Sequence, residues 1–88
     1  MASYKVVFKP SVEKDLRKLP KPVIARALDR IDRLSVEPRG VGIVKLSGAE
    51  RTYRARVGDY RVVFEVDENR KELIVHYVRH RKDVYRDL

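Results

Sequence analysis

Apolar residues recur along this chain with two different periods, and the change falls near its middle. Ser3 to Phe8 reads as a strand, because Val6, Val7 and Phe8 favour extended backbone and Pro10 forbids its continuation. A helix follows, with Ser11 as its cap or Pro10 in its first turn. Its apolar stripe is Val12, Leu16 and Leu19, and it ends at Leu19-Pro20. Pro22 opens a second helix in which Ile24, Ala27, Leu28, Ile31 and Leu34 repeat over three turns, until Pro38 and Gly40 stop it. Its outer face carries Arg26, Arg30 and Arg33 beside Asp29 and Asp32, the mixed pattern of a solvated surface. Gly40-Val41-Gly42 reads as the turn after the helix.

From Arg51 the period becomes two: Tyr53, Ala55 and Val57 alternate with Arg54 and Arg56, which is a strand. Gly58-Asp59 places glycine first in a two-residue turn, as a type II′ hairpin prefers, and Tyr60 to Val66 resumes the alternation. Asp67 to Arg70 punctuates, and Lys71 to Val78 forms a further strand. The tail from His80 to Leu88 is short and charged, with Val84 and Leu88 spaced to seat one helical turn. The order is βααβββ, an α+β domain over residues 1–88 in which a three-stranded antiparallel sheet packs on a helical hairpin.

That turn fixes a register. Val57 faces Tyr60, Ala55 faces Val62, Tyr53 faces Phe64, and Arg56 lies opposite Arg61. Carried through a four-residue loop, it sets Phe64 against Leu73, Val62 against Val75, Tyr60 against Tyr77 and Arg61 against His76. One sheet face is then apolar (Tyr53, Ala55, Val57, Tyr60, Val62, Phe64, Leu73, Val75, Tyr77) and faces the helices. The other carries Arg54, Arg56 and Arg61, with Glu65 as the nearby counter-charge. Like charges opposite one another on a sheet cost stability, so an anionic ligand is expected there. The competing explanation is that long arginines splay into solvent and keep an open face soluble. Arg79-His80-Arg81-Lys82 adds further donors near the same sheet end.

Composition narrows the chemistry. The chain has 88 residues, 21 Lys plus Arg against 13 Asp plus Glu, and a net charge of +8. A chain this short has no room for a bulky cofactor cavity, so a site must lie open on the surface. The basic excess favours a polyanionic partner, although it is spread along the chain rather than held in a tail. Apolar runs stop at three residues, far below the roughly 18 of a membrane span, and the N-terminus lacks the charged-then-apolar order of a signal peptide. The absence of cysteine excludes disulfides, thiolate metal sites and a cysteine nucleophile, and is compatible with a reducing interior.

His76 and His80 stand without carboxylate partners at metal-ligand spacing, and neither a nucleophile elbow nor a glycine-rich phosphate loop occurs. What remains is metal-free phosphodiester chemistry, in which the RNA's own 2′-hydroxyl attacks. That reaction needs a proton acceptor, a proton donor, and cations against the charge that builds on phosphorus. Arginine supplies the cations in plenty. Because it stays protonated, proton transfer falls to His76, His80, Tyr85 or a carboxylate.

Lys45-Leu46-Ser47-Gly48, Tyr53 to Val57, Gly58-Asp59-Tyr60-Arg61-Val62-Val63-Phe64 and Arg79 to Tyr85 together resemble the RelE branch of the RelE/ParE toxin superfamily over nearly the whole chain. The resemblance implies a RelE-like fold and the toxin of a type II toxin–antitoxin system: a cytoplasmic, metal- and cofactor-independent endoribonuclease that cleaves mRNA in the A site of the 70S ribosome. It implies a RelB-like antitoxin and a hetero-oligomeric complex with it. Carried over by position, Arg61 and Arg81 stabilise the scissile phosphate, Arg54 and Arg56 hold it, and Tyr85 stacks on or orients the attacked nucleotide. Lys45, Arg79 and Lys82 are further RNA-contacting cations. Family members often carry lysine where Arg54 and Arg56 stand, and arginine cannot easily act as a base, which turns attention to His80 or Tyr85 for proton transfer. The competing functions are a ParE-like poison of DNA gyrase and a non-catalytic module that docks on ribosomal RNA.

Overall fold

The computed structural model describes residues 4–40, 42–46 and 51–82. Its elements are β1 (Lys5–Phe8), α1 (Pro10–Arg17), α2 (Lys21–Val36), β2 (Ile43–Lys45), β3 (Thr52–Val57), β4 (Tyr60–Asp67) and β5 (Glu72–His80). The α+β order stands as read from the pattern, and the sheet is wider than expected. It has five strands in the order β1-β5-β4-β3-β2. β1 runs parallel to β5, and β2 pairs antiparallel with β3. The expected helical turn at Val84 and Leu88 lies outside the described residues.

Each helix starts on a proline in its first turn, where the missing N–H costs nothing and the fixed φ suits the helix. Val12 of α1 and Ala27, Ile31 and Leu34 of α2 meet Ala55, Val62, Phe64, Val66, Leu73, Val75 and Val78 in one core. Leu28, expected on the inner stripe, is 42% exposed on the flank of α2. Among the described residues no helix is long and apolar enough to cross a membrane.

The β3–β4 hairpin has the expected register, with Val57 paired to Tyr60, Ala55 to Val62 and Arg56 to Arg61. Gly58 sits at φ 59°, while Asp59 is not in the left-handed region. That combination is the one a type II′ turn requires.

The β4–β5 register departs from expectation in two ways. Asp67 pairs with Glu72 and Phe64 with Val75, so the loop is residues 68–71 and β5 is displaced by two residues from the expected pairing. A shift of two leaves faces unchanged. A bulge then intervenes, because Val63 pairs with Tyr77 and His76 is left as the extra residue. Beyond it every β5 side chain changes face. Tyr77 leaves the helix-facing side and packs instead with Leu46 and Val63. Val78 enters the core at 1% exposed, Arg79 rather than His76 lies opposite Arg61, and His80 lies opposite Tyr60.

α1 secures this bulged segment, because β1 ends at Phe8 and, among the described residues, no strand pairs with the outer edge of β5 from His76 onward. The Ser11 hydroxyl donates to the His76 carbonyl at 2.9 Å, and the Val78 amide donates to Asp15 Oδ2 at 3.2 Å. A second tie holds the β4–β5 loop. The Tyr4 hydroxyl donates to Glu68, whose carboxylate also lies 3.5 Å from Arg39 and 3.8 Å from Lys71. The hydrogen bond to Glu68 and, less, burial raise the Tyr4 pKa above its ordinary value.

Two predictions follow from these ties. Asp15→Ala removes the acceptor for a backbone amide of the bulge, and a loss of about 1–3 kcal/mol is expected in urea unfolding, with Asp15→Asn recovering part of it. The raised Tyr4 pKa means that the unfolded chain releases this proton first. The stabilisation is therefore complete below the ordinary tyrosine value near 10 and is lost as pH climbs through the folded value. Thermal melts of wild type and Tyr4→Phe should differ by less as the pH rises from 8 to about 11, whereas a constant difference would contradict the linkage.

Candidate nucleic-acid interface

The site is built by cross-strand pairing. Arg56 of β3 faces Arg61 of β4, and Arg61 faces Arg79 of β5, so three arginines form a row across strands about 5 Å apart. Arg54 lies two residues along β3 on the same side, opposite Val63. β2 supplies the outer wall, since Val44 pairs with Arg54. Gly42, Val44, Arg54, Arg56 and Arg61 line one cleft of about 300 Å³, at the small end of the range for ligand sites.

Arg61 is the buried member, only 6% exposed. Its Nη1 donates to the carbonyls of Gly58 at 3.1 Å and Tyr60 at 3.0 Å. The hairpin turn therefore anchors the guanidinium through one nitrogen and leaves its positive charge to be balanced otherwise. Among the described residues no carboxylate forms a salt bridge with Arg56 or Arg61. Glu65, the expected counter-charge, is engaged at the far end of β4 with Arg51 at 3.4 Å and His76 Nε2 at 3.2 Å. A buried cation without a matching anion is costly, and planar guanidinium groups suit the bidentate recognition of phosphate oxygens.

The remaining candidates divide by position. Arg79 shares the face, but its Nε lies 3.5 Å from Asp15 Oδ1 and its guanidinium covers the Tyr77 ring at 4.4 Å. It is thereby drawn toward α1 and is not among the cleft's lining residues. The Arg81 amide donates to the Asp59 carbonyl at 2.9 Å, which pins its backbone beside the turn that anchors Arg61. Lys82 follows it and is exposed. Lys45 alternates with Val44 along β2 and pairs with Tyr53, so it belongs to the helix-facing side of the sheet rather than to the cleft. His80 is on that side too: its ring meets Tyr60 edge-on at 5.4 Å, and Nδ1 accepts the Lys82 amide at 3.3 Å. Tyr85 lies outside the described residues.

Sequence reasoning missed three contributors. Gly42 and Val44 form the wall of the cleft, and the only local signal for β2 was the β-branched pair Ile43-Val44 after a glycine. Asp15, which holds both the bulge and Arg79, carries no signal in the sequence beyond a charge at a helical position. The described lining can bind an anion, orient it and neutralise growing charge; it contains no histidine or carboxylate to accept a proton.

Comparisons with known proteins agree with this architecture. Residues 6–85 match the family model described as the ParE toxin of the type II toxin–antitoxin system parDE. Toxin RelG of Mycobacterium tuberculosis is 33% identical over 84 residues, covering 94% of this chain and 97% of its own. Toxin RelE3 of Methanocaldococcus jannaschii is 34% identical over 85 residues, covering 92% and 94%. Among solved structures, the archaeal RelE–RelB complex from Pyrococcus horikoshii superposes with a TM-score of 0.77 at 34% identity, over 90% of this chain and 96% of that one. With a family model matched along most of its length and RelE-type toxins as its relatives, the chain belongs to the RelE/ParE superfamily and is a RelE-like toxin of a type II toxin–antitoxin system.

Proposed function

We propose that this toxin is a ribosome-dependent endoribonuclease that cuts mRNA in the A site. The observation that carries the reading is the convergence of Arg54, Arg56 and Arg61 on one cleft, with the buried Arg61 oriented by its own hairpin turn. In the reaction the 2′-oxygen of the RNA attacks the adjacent phosphorus and the 5′-oxygen leaves. The products are a 2′,3′-cyclic phosphate and a 5′-hydroxyl, and no water is consumed. Negative charge accumulates on the phosphoryl oxygens on the way, and fixed guanidinium groups stabilise it most at that point. Arg61 acts on the scissile phosphate, Arg54 and Arg56 hold it, and Arg81, pinned beside the same turn, adds a further cation. No metal is required, because guanidinium supplies the positive charge.

Proton transfer is assigned to groups outside the described lining, Tyr85 first among them. His80 is the weaker candidate, since it faces the helix side of the sheet. A toxin with well-placed cations and few proton carriers gains from a ribosome that positions the message and contributes its own groups, which is the physical reason for ribosome dependence. The partner in the resting state is a RelB-like antitoxin, an acidic chain that neutralises the +8 charge and binds with strong salt sensitivity. Its complex with the toxin is hetero-oligomeric.

In a translating extract the protein is expected to produce codon-aligned mRNA cuts ending in 2′,3′-cyclic phosphate. Arg61→Met should lower the cleavage rate about 10²–10³-fold. It should also leave the melting temperature unchanged or raised, because it removes a buried charge and the like-charge pair with Arg56. Intact mRNA with accumulating gyrase–DNA complexes would replace this reading with the gyrase-poison one, and ribosome binding without cuts would replace it with a docking module.

A further inference from the structure

The arginine cleft opens at the free edge of β2, and a second basic hollow lies around that edge. Arg30 and Arg33 of α2 line it with Leu34, Glu37, Gly40 and Ile43, and its volume is about 260 Å³. The two hollows share one wall. Gly40 and Ile43 border the α2 side, while Gly42 and Val44 border the cleft side. Gly42 has φ 85°, and a Cβ built there would stand 3.7 Å from Arg30 Nη2. The Arg30 guanidinium therefore lies beside Gly42, where the wall carries no side chain. Lys45 lies on the α2 side as well, because alternation along β2 groups it with Ile43. β2 is the last strand of the sheet and only three residues long, so among the described residues no further strand blocks passage across it.

We propose that a single ribose–phosphate strand gripped by Arg54, Arg56 and Arg61 continues over the β2 edge at Gly42 and lays its next phosphates on Arg30, Arg33 and Lys45. This inference rests on the RNA-cleaving reading and adds to it a backbone track outside the catalytic cleft. Arg33 now pairs with Asp29 at 3.2 Å, but both side chains are largely exposed, at 72% and 61%. An exposed pair of this kind contributes little and is screened by salt, so a phosphate oxygen displaces it readily. Glu37, which lines the same hollow, repels phosphate and directs the strand to the Arg30 and Arg33 side. The glycine is part of the device: a side chain at Gly42 would be strained at its φ and would thicken the wall between the two hollows. The strand is the message being cut, since it is continuous with the phosphodiester held in the cleft.

The test uses the full chain and two uncleavable 2′-O-methyl oligoribonucleotides, one of three nucleotides and one of twelve, with binding followed by anisotropy across a salt series. With the message on the track, Arg30→Gln/Arg33→Gln weakens the longer oligomer about tenfold and lowers its salt slope by about 1–2, one per lost phosphate contact. The short oligomer, which fills only the cleft, is unaffected. If both oligomers bind as before while co-sedimentation with ribosomes falls by a similar factor, the hollow takes ribosomal RNA instead and the continuous track is overturned. Unchanged binding in both assays overturns the proposal as well. Lys45→Gln, which leaves α2 intact, should give a smaller loss in the same assay as the double variant and guards against a folding defect. Arg54→Gln/Arg56→Gln reports on the cleft separately: if the short oligomer binds that variant normally, the RNA-cleaving reading fails whatever the α2 variants do.

Discussion

Everything at this surface depends on side-chain alternation across three strands, which has a period of two and no tolerance for a one-residue slip. Two local devices hold it. Glycine at Gly58 closes the β3–β4 hairpin so that Arg56 and Arg61 must face each other. The extra residue His76 turns the end of β5 over, burying Val78 and bringing Arg79 onto the arginine side. Without the bulge, Arg79 would project among the core residues and Val78 into the cationic face. Bulges that re-aim side chains beside functional surfaces are a recurrent use of that irregularity.

The arrangement sets folding against function. Like charges opposed across a sheet and a nearly buried arginine both work against the folded state, and the apolar core on the other face has to offset them. The chain divides its cations accordingly. Arg79 is compensated by Asp15 and the Tyr77 ring, while Arg61 is oriented by carbonyl oxygens that leave its net charge in place. A toxin held in this condition gains stability from any polyanion that fills the cleft, and under the proposed function the same electrostatics serve both RNA and an acidic antitoxin.

How much of this was legible in the sequence varies by element, for physical reasons. Gly58-Asp59 between two alternating segments carries its register openly, because turn type and loop length leave one pairing, and the shared face of Arg54, Arg56 and Arg61 followed from it. The β5 register was hidden. Leu73-Ile74-Val75 is apolar on both faces and satisfies several pairings, and a bulge has no residue signature of its own. Its stabilising groups, Ser11 and Asp15, come from a helix more than sixty positions away in the chain. β2 was missed because three residues cannot display an alternation, and with it went the cleft wall and the side taken by Lys45. His80 looked suited to proton transfer by proximity in sequence, yet its strand position turns it toward Tyr60.

The most direct test of the central claim is an NMR titration that observes the arginine Nε–H signals as an uncleavable dinucleotide is added. Convergence on one phosphate requires the signals of Arg54, Arg56 and Arg61 to move together along a single saturation curve, with those of Arg17, on α1 and outside the cleft lining, and Arg79, drawn to Asp15, nearly still. Uniform small shifts over all arginines, or movement that leaves Arg61 in place, would contradict the account.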